Sequence, residues 1–411
     1  MRNWREGSKR HAYDETKKIR KMVRVWRKSL KIGFDSQILF ERQKTGIGRN
    51  CEAIIDHYIQ INSDDIVLNY FKMIDENNRE KAIAHYLTNN NVKINKCKWF
   101  HNVLYYKINH YLPIPYSFFF REKVDVTQFF NYVIPPGVKG KVALYVYDMA
   151  YKVYPETIGA KTLRMLNENL EKSCRRANYI ITISEFSKNE IVKYLNISSD
   201  KIVVIPCAVD HNVYNEVLDV EKLSSIKTKY GISKNYFFYL GTLEPRKNIE
   251  RLIDAYAILN KRYSEVPLLV LAGKNGWNYD NIYKKVKDYN LDNKIIFTGY
   301  IESSESVILL KGAFAFVFPS IYEGFGMPPL EAMACGVPVV TSNVTSLPEV
   351  VQDTGYLVDP FSVEDISGAM SKILNDSEER AQLIKKGLNR AKEFTWSRSA
   401  KLLQEVYKKM L

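Results

Sequence analysis

The sequence predicts two doubly wound α/β domains, each a parallel sheet covered by helices, facing each other across a cleft. Three observations lead there. From residue 236 onward, short β-rich apolar runs alternate with stretches of helical periodicity. Those runs are apolar at almost every position, as strands covered on both faces require. The same alternation recurs more weakly in the first half, and 411 residues suffice for two domains of ordinary size.

Composition bounds the class. The apolar fraction of 46% and charged fraction of 26% exclude global disorder and a collagen-like or disulfide-stapled chain. The net charge of +14 points to an anionic partner, but it is unevenly placed. Residues 1–30 carry eleven Lys/Arg against three Asp/Glu, which leaves only +6 for the rest. The five cysteines, Cys51, Cys97, Cys174, Cys207 and Cys335, are odd in number, widely spaced and without a C-x-x-C. A reducing cytoplasm therefore fits better than a zinc site or disulfide framework. The N-terminus lacks the apolar core of a signal peptide, and no apolar run approaches the ~20 residues of a membrane span. The sequons at Asn196 and Asn343 are read as chance.

The elements follow in order. In KKIRKMVRVWRKSL (17–30), Ile19, Met22, Val23, Trp26 and Leu30 share one helical face among basic residues. Such a helix can lie in a membrane interface, or dock on the body as an ordinary surface helix. KIGFDSQIL (31–39) is a strand pattern, followed by the glycine-rich turn TGIGRN (45–50) and a helix. Residues 62–135 give no clear pattern beyond the aromatic segment YLPIPYSFFF (111–120). VALYVYDMA (142–150), YIITIS (179–184) and KIVVIP (201–206) read as strands, with a helix near 159–176. A link is expected over 211–232, dividing an N-terminal domain (31–210) from a C-terminal one (233–394). In the latter, YFFYLGTL (236–243), LLVLAG (268–273), KIIFTGYI (294–301), AFAFVFPS (313–320) and VPVVTS (337–342) are the expected strands. Ile249, Leu252, Ile253 and Tyr256 mark the buried face of a helix between the first two.

The chemistry concentrates in PSIYEGFGMPPLEAMACGVPVV (319–340). A strand runs into a loop holding Glu323, Gly324, Phe325 and Gly326, and Pro328-Pro329 then open a short helix that stops at Gly336. The free N–H groups of that helix end can bind an anion, and the glycines let backbone approach a ligand closely. Glu323 and Glu331 near such a site suit sugar and ribose hydroxyls. By themselves they also suit the plainer role of favouring the helix dipole.

These residues resemble the E-x7-E motif of retaining glycosyltransferase family 4, whose fold is GT-B, with Glu323 and Glu331 in the two acidic positions. Companion segments follow in the family's order. GTLEPRKN (241–248) resembles the diphosphate-binding turn, and FTGYI (297–301) the nucleobase-facing strand end. TSLPEVV (345–351) and GYLVDP (355–360) are similar to later segments, and YIITISEFSK (179–188) to the last N-domain strand–turn–helix. WSRSAKLLQEVY (396–407) resembles a C-terminal helix that returns to the first domain, which extends that domain to include 395–411.

The resemblance implies roles. Arg246 and Lys247 neutralise the donor diphosphate, Glu323 holds the donor sugar, and Glu331 binds ribose hydroxyls. Gly324, Phe325, Gly326 and Met327 offer backbone N–H groups to the sugar. Tyr300, Ile301 and Leu330 join the donor-binding positions, and Gly46 and Gly48 line the cleft from the first domain. Three positions depart from the family: Tyr147 precedes Asp148 where many members have His, Thr242 replaces an Arg, and Cys207-Ala208 replaces Asn-Gly. None of the six histidines is assigned a catalytic role.

The expected function is transfer of a hexose, mannose before others, from a nucleotide diphosphate sugar to a hydroxyl, with retention and without a metal. No cofactor is expected beyond the donor itself, GDP-mannose before UDP-sugars. The expected acceptor is a saccharide, lipid-linked or polysaccharide, at the inner face of the plasma membrane, with residues 1–30 as a handle on an anionic surface. A nucleotide-sugar epimerase of GT-B architecture stays open. So does a non-enzymatic binder of anions or nucleic acid, although no nucleic-acid module is recognised.

Overall fold

The computed structural model describes residues 29–40, 46–72, 84–109, 111–277 and 279–411. The amphipathic segment expected over 17–30 lies, apart from its last two residues, outside these.

Two parallel sheets form the core. The first comprises β1 (Lys31–Asp35), β2 (Asp65–Lys72), β3 (Val92–His101), β4 (Val126–Phe129), β5 (Lys141–Tyr145), β6 (Tyr179–Thr182) and β7 (Ile202–Val204). Its spatial order is β3-β2-β1-β4-β5-β6-β7. The second comprises β8 (Tyr236–Leu240), β9 (Leu268–Ala272), β10 (Ile295–Gly299), β11 (Ala315–Phe318), β12 (Val339–Ser342) and β13 (Tyr356–Val358), ordered β10-β9-β8-β11-β12-β13. The strand pairs are parallel. In both sheets the direction of winding reverses beside the first strand, between β1 and β4 and between β8 and β11. Crevices open at the carboxyl ends of strands at such reversals.

The strands are buried because both faces are covered. All five residues of β9 and all four each of β11 and β12 are buried. The helix Ile249–Arg262 buries Ile249, Leu252, Ile253 and Tyr256, the face read from their spacing. β2, β3 and β4 occupy the stretch that gave no pattern. β3 is an edge strand, half exposed along its length, and its polar residues dilute the apolar alternation. β4 buries Gln128, whose amide donates to the carbonyls of Phe129 and Ala143.

Within the expected link, Asp219 caps a helix over Val220–Lys229. Lys229 and Tyr230 hold Glu305 of the second half at 2.5 and 2.8 Å. The C-terminal helix, Trp396–Lys409, packs on the helix Gly46–Ile61 of the first half. Tyr407 meets Tyr58 edge-on at 5.5 Å and donates to Gln128, and Ser399 donates to the Pro206 carbonyl. Two positions differ from expectation. Gly46 and Gly48 do not sit in an open loop; they form the first turn of Gly46–Ile61. The backbone N–H groups they contribute are those of a helix N-terminus.

Candidate active site

The loops that follow β8 and β11 meet at the second reversal point. After β8 the chain makes a single tight turn, Pro245–Lys247, and ends it at Asn248 with φ of 64°. Asparagine tolerates this left-handed conformation. The buried Asn248 amide locks the turn by donating to the carbonyls of Pro319 at 3.0 Å and Pro360 at 2.6 Å. Arg246 and Lys247 thereby face the loop after β11.

There they surround Glu323. Lys247 donates to the Glu323 carboxylate, Ser320 donates to it at 2.6 Å, and an Arg246 nitrogen lies 3.5 Å away. Arg246 also donates to the Tyr322 carbonyl and pairs with Glu244, both at 2.7 Å. The Lys247 ammonium sits 4.9 Å above the Phe318 ring. These side chains are 12–19% exposed, so the charges act in a poorly solvated medium. Burial by itself raises the Glu323 carboxyl, but Lys247 and Arg246 outweigh it and hold it below its ordinary range. Burial lowers the Lys247 ammonium, partly offset by Glu323. The cluster is thus a carboxylate between two cations.

The helix after this loop is Met327–Ala334, entered through Gly326 at φ 118° and left through Gly336 at φ 71°. A Cβ on Gly326 would stand 2.8 Å from the tip of the Leu347 side chain, and the positive φ strains any residue but glycine there. Ser346 fastens the loop by donating to the carbonyls of Glu323 and Phe325, each at 2.8 Å. Glu331, in the helix, is hydrogen-bonded by Tyr214. Burial pushes its carboxyl up to about 7, against the pull of Tyr214 and Arg49.

The same loop touches the first half of the chain. Ser184 and Ser187, the cap and first turn of the helix that follows β6, donate to the Gly324 carbonyl at 2.7 and 3.2 Å. Tyr322 accepts from the Met149 backbone at 3.0 Å and donates to the buried Glu190 at 2.5 Å. Gly324 packs so closely on Tyr147-Asp148 that a Cβ would fall 2.8 Å from that of Asp148. Asp148 lies within the field of Arg246, Lys247 and Glu323, and its burial raises its carboxyl. Glu349 reaches across to accept the backbone N–H groups of Glu185 and Phe186 at 2.8 and 2.6 Å. It caps a helix, Glu185–Leu195, that belongs to the other sheet.

The remaining expected positions scatter around this core. Tyr300 is 63% exposed just past β10, whereas the Ile301 and Leu330 side chains are buried. Gly46 is open to solvent, and Arg49 in the same turn acts on Glu331. The Tyr147 ring stacks on Tyr145 at 5.4 Å, and its buried hydroxyl has no hydrogen-bond partner among the described residues. Cys207 is buried and accepts from Asn50, with its thiol pushed up to about 12 by burial. Sequence reasoning missed Glu190, Tyr214, Tyr322 and Glu349. Only Tyr322 and Glu349 lay inside quoted motifs, and neither spacing nor residue type marks a partner more than 130 residues away.

Two results are expected here. Glu331→Gln removes a carboxyl whose folded pKa is about 7 against an ordinary 4.5. A raised acid contributes its full stability below the lower value and loses it as pH rises to the upper one. The melting temperature of Glu331→Gln relative to the parent should therefore climb between these two pH values; a difference independent of pH contradicts the assignment. Glu349→Ala leaves two backbone N–H groups of the Glu185 helix uncapped, at a cost of about 1 kcal/mol. Interdomain fluorescence transfer should report a more open cleft, with no such change for a substitution at the exposed Glu378.

Comparison with known proteins agrees with this geometry. The family model described as "Glycosyl transferases group 1" matches residues 224–390, and that described as "Glycosyltransferase Family 4" matches 141–213. O-antigen chain mannosyltransferase B of Escherichia coli is 36% identical over 279 residues, 68% of this chain and 72% of that protein. Serotype-specific mannosyltransferase WbdA of Escherichia coli is 34% identical over 62% of this chain but only 31% of its own length. The crystal structure of Anabaena Alr3699/HepE in complex with UDP and glucose superposes with a TM-score of 0.69 over 92% of this chain and all of that one. At 17% identity it shows likeness of fold alone. Two parallel doubly wound sheets, a cation–carboxylate cluster at the second reversal point and these matches lead to one conclusion: the chain belongs to glycosyltransferase family 4, hexosyltransferases built on the GT-B fold.

Proposed function

We propose that the chain transfers mannose from GDP-mannose to a hydroxyl of a lipid-linked or polysaccharide acceptor, with retention at the anomeric carbon and without a metal ion. The observation that carries this reading is the Arg246–Lys247–Glu323 cluster at the β8/β11 reversal, in a chain whose relatives are named mannosyltransferases. Arg246 and Lys247 offset the charge that grows on the diphosphate as the C1–O bond breaks. The Met327–Ala334 N-terminus adds backbone N–H groups, with Gly324, Phe325 and Gly326 turned to the sugar. Glu323 exchanges Lys247 for sugar hydroxyls once the diphosphate arrives, and Glu331 takes the ribose. The acceptor hydroxyl attacks from the face the diphosphate leaves, and its proton passes to the departing phosphate oxygen. Residues 1–30 hold the enzyme at an anionic inner membrane face.

Thermal shift against GDP- and UDP-sugars tests the donor, since a ligand that binds only the native state raises its melting temperature. A shift confined to GDP-mannose supports the reading, and one confined to UDP-sugars overturns the donor assignment. Undiminished transfer in excess chelator supports the metal-independent route. Isomerised nucleotide sugar appearing without any acceptor would establish the epimerase instead.

A further inference from the structure

We infer that the body of the protein carries its own bilayer-binding surface, formed by the end of edge strand β3 and the segment that follows it, and independent of residues 1–28. Among the described residues, five large apolar side chains are exposed between positions 99 and 118: Trp99, Leu104, Tyr111, Leu112 and Phe118. Single exposed apolar residues are ordinary, but a concentrated group marks an interaction surface.

Trp99 and Phe118 are held rigidly. Trp99 is 63% and Phe118 49% exposed, and their rings lie 5.8 Å apart. Both rest on Phe119, at 5.1 and 5.3 Å. Phe119 in turn rests on Tyr105 and Phe71, the latter stacked on Tyr105 at 4.5 Å and edge-on to Phe120 at 4.9 Å. A buried aromatic stack thus presents two rings to solvent with little conformational freedom to lose on binding.

The charge around them selects the partner. Residues 92–123 contain six Lys/Arg and one acidic residue, Glu122. Glu122 is taken by Lys31 and Lys93 at 2.6 and 2.7 Å. Lys98, Lys107, Arg121 and Lys123 are exposed, and Arg121 lies 5.9 Å from the Phe118 ring. Nearly all the +6 that remains outside the first 30 residues is therefore concentrated beside the exposed aromatics. Rigid Trp and Phe with flanking Lys and Arg fit an anionic lipid headgroup layer, with rings at the acyl boundary and cations among the phosphates. A saccharide platform would need the rings but not the surrounding charge. The surface lies at the carboxyl end of β3, the same end of the sheet that faces the candidate site. Docking there would bring the cleft to the membrane.

The test uses the full chain. The five native cysteines are all buried, so Trp99→Cys can be labelled selectively with a polarity-sensitive dye. On phosphatidylglycerol vesicles the dye should shift to the blue and be quenched by brominated acyl chains; on phosphatidylcholine vesicles it should not. Co-sedimentation of the unlabelled Trp99→Ser/Phe118→Ser protein should fall about tenfold, and that of Arg121→Gln about fivefold. A dye that stays in water while the protein sediments would assign binding to residues 1–28 and overturn the inference. So would a shift produced by soluble oligosaccharide alone, or co-sedimentation unaffected by the substitutions. None of these results depends on which nucleotide sugar is the donor.

Discussion

Lys247→Ala should lower the transfer rate by about 10²–10³-fold, the usual effect of removing one preorganised donor from developing negative charge. Lys247 is 12% exposed, contacts Glu323 and has little solvent to screen it. In the free protein its removal leaves Glu323 with Ser320 at 2.6 Å and Arg246 at 3.5 Å. The carboxyl should then rise from its depressed position, because burial is its largest influence and Lys247 the largest opposing one. The expected stability loss is about 1–3 kcal/mol. A depressed carboxyl contributes stability above its unfolded value and loses it as pH falls through the folded one. The parent's advantage over Lys247→Ala should accordingly shrink in acid. Lys247→Arg is not a conservative rescue, because a planar guanidinium cannot occupy an ammonium's place above Phe318 with the same contacts. Steady-state rates and melting curves for both variants check these results.

Gly324→Ala should lower kcat by about 10²-fold while leaving the fold intact. The added Cβ would meet the Cβ of Asp148 at 2.8 Å and the Tyr147 carbonyl at 3.1 Å. Both belong to the opposite half, and neither is the end of a flexible side chain. The loop must retreat, and with it the Gly324 carbonyl that accepts from Ser184 and Ser187. Glu323 is the neighbouring residue, so the retreat moves the carboxylate that faces Lys247. Affinity for the nucleoside diphosphate part of the donor should change little, because Arg246, Lys247 and Glu331 stay within one half. An unchanged kcat would mean that the docked arrangement of the loop is not the one that reacts.

The legible parts of this protein are those where local pattern and tertiary role coincide. Five of the six strands of the second sheet could be read, β13 being missed, because β8, β9 and β11 are apolar throughout and each is followed by a glycine or proline. The helix at Met327 was legible from Pro328-Pro329 and Gly336, whose conformations the structure repeats. Arg246, Lys247 and Glu323 were each named as site residues, but their mutual contact was not foreseen; it arises only when the loops after β8 and β11 are brought together. The first sheet was harder. β3 is an edge strand with Lys93, Lys96 and Lys98 spread over both of its faces, so no apolar face announces it. Glycines 46 and 48 were read as a turn because glycine is a poor helix former, yet they lie in the first turn of Gly46–Ile61. The contacts across the cleft were invisible for a different reason. Glu349, Glu190 and Tyr322 are ordinary polar residues in their own segments, and their roles come from partners on the other sheet.

The most direct test of the account is a transfer assay with GDP-mannose and a saccharide acceptor, run with the parent protein and with Lys247→Ala and read by NMR at the anomeric carbon. The account predicts a mannosylated product of the same anomeric configuration as the donor, formed by the parent and reduced by two orders of magnitude or more in the variant. Equal transfer by both proteins, or a product of inverted configuration, would contradict it.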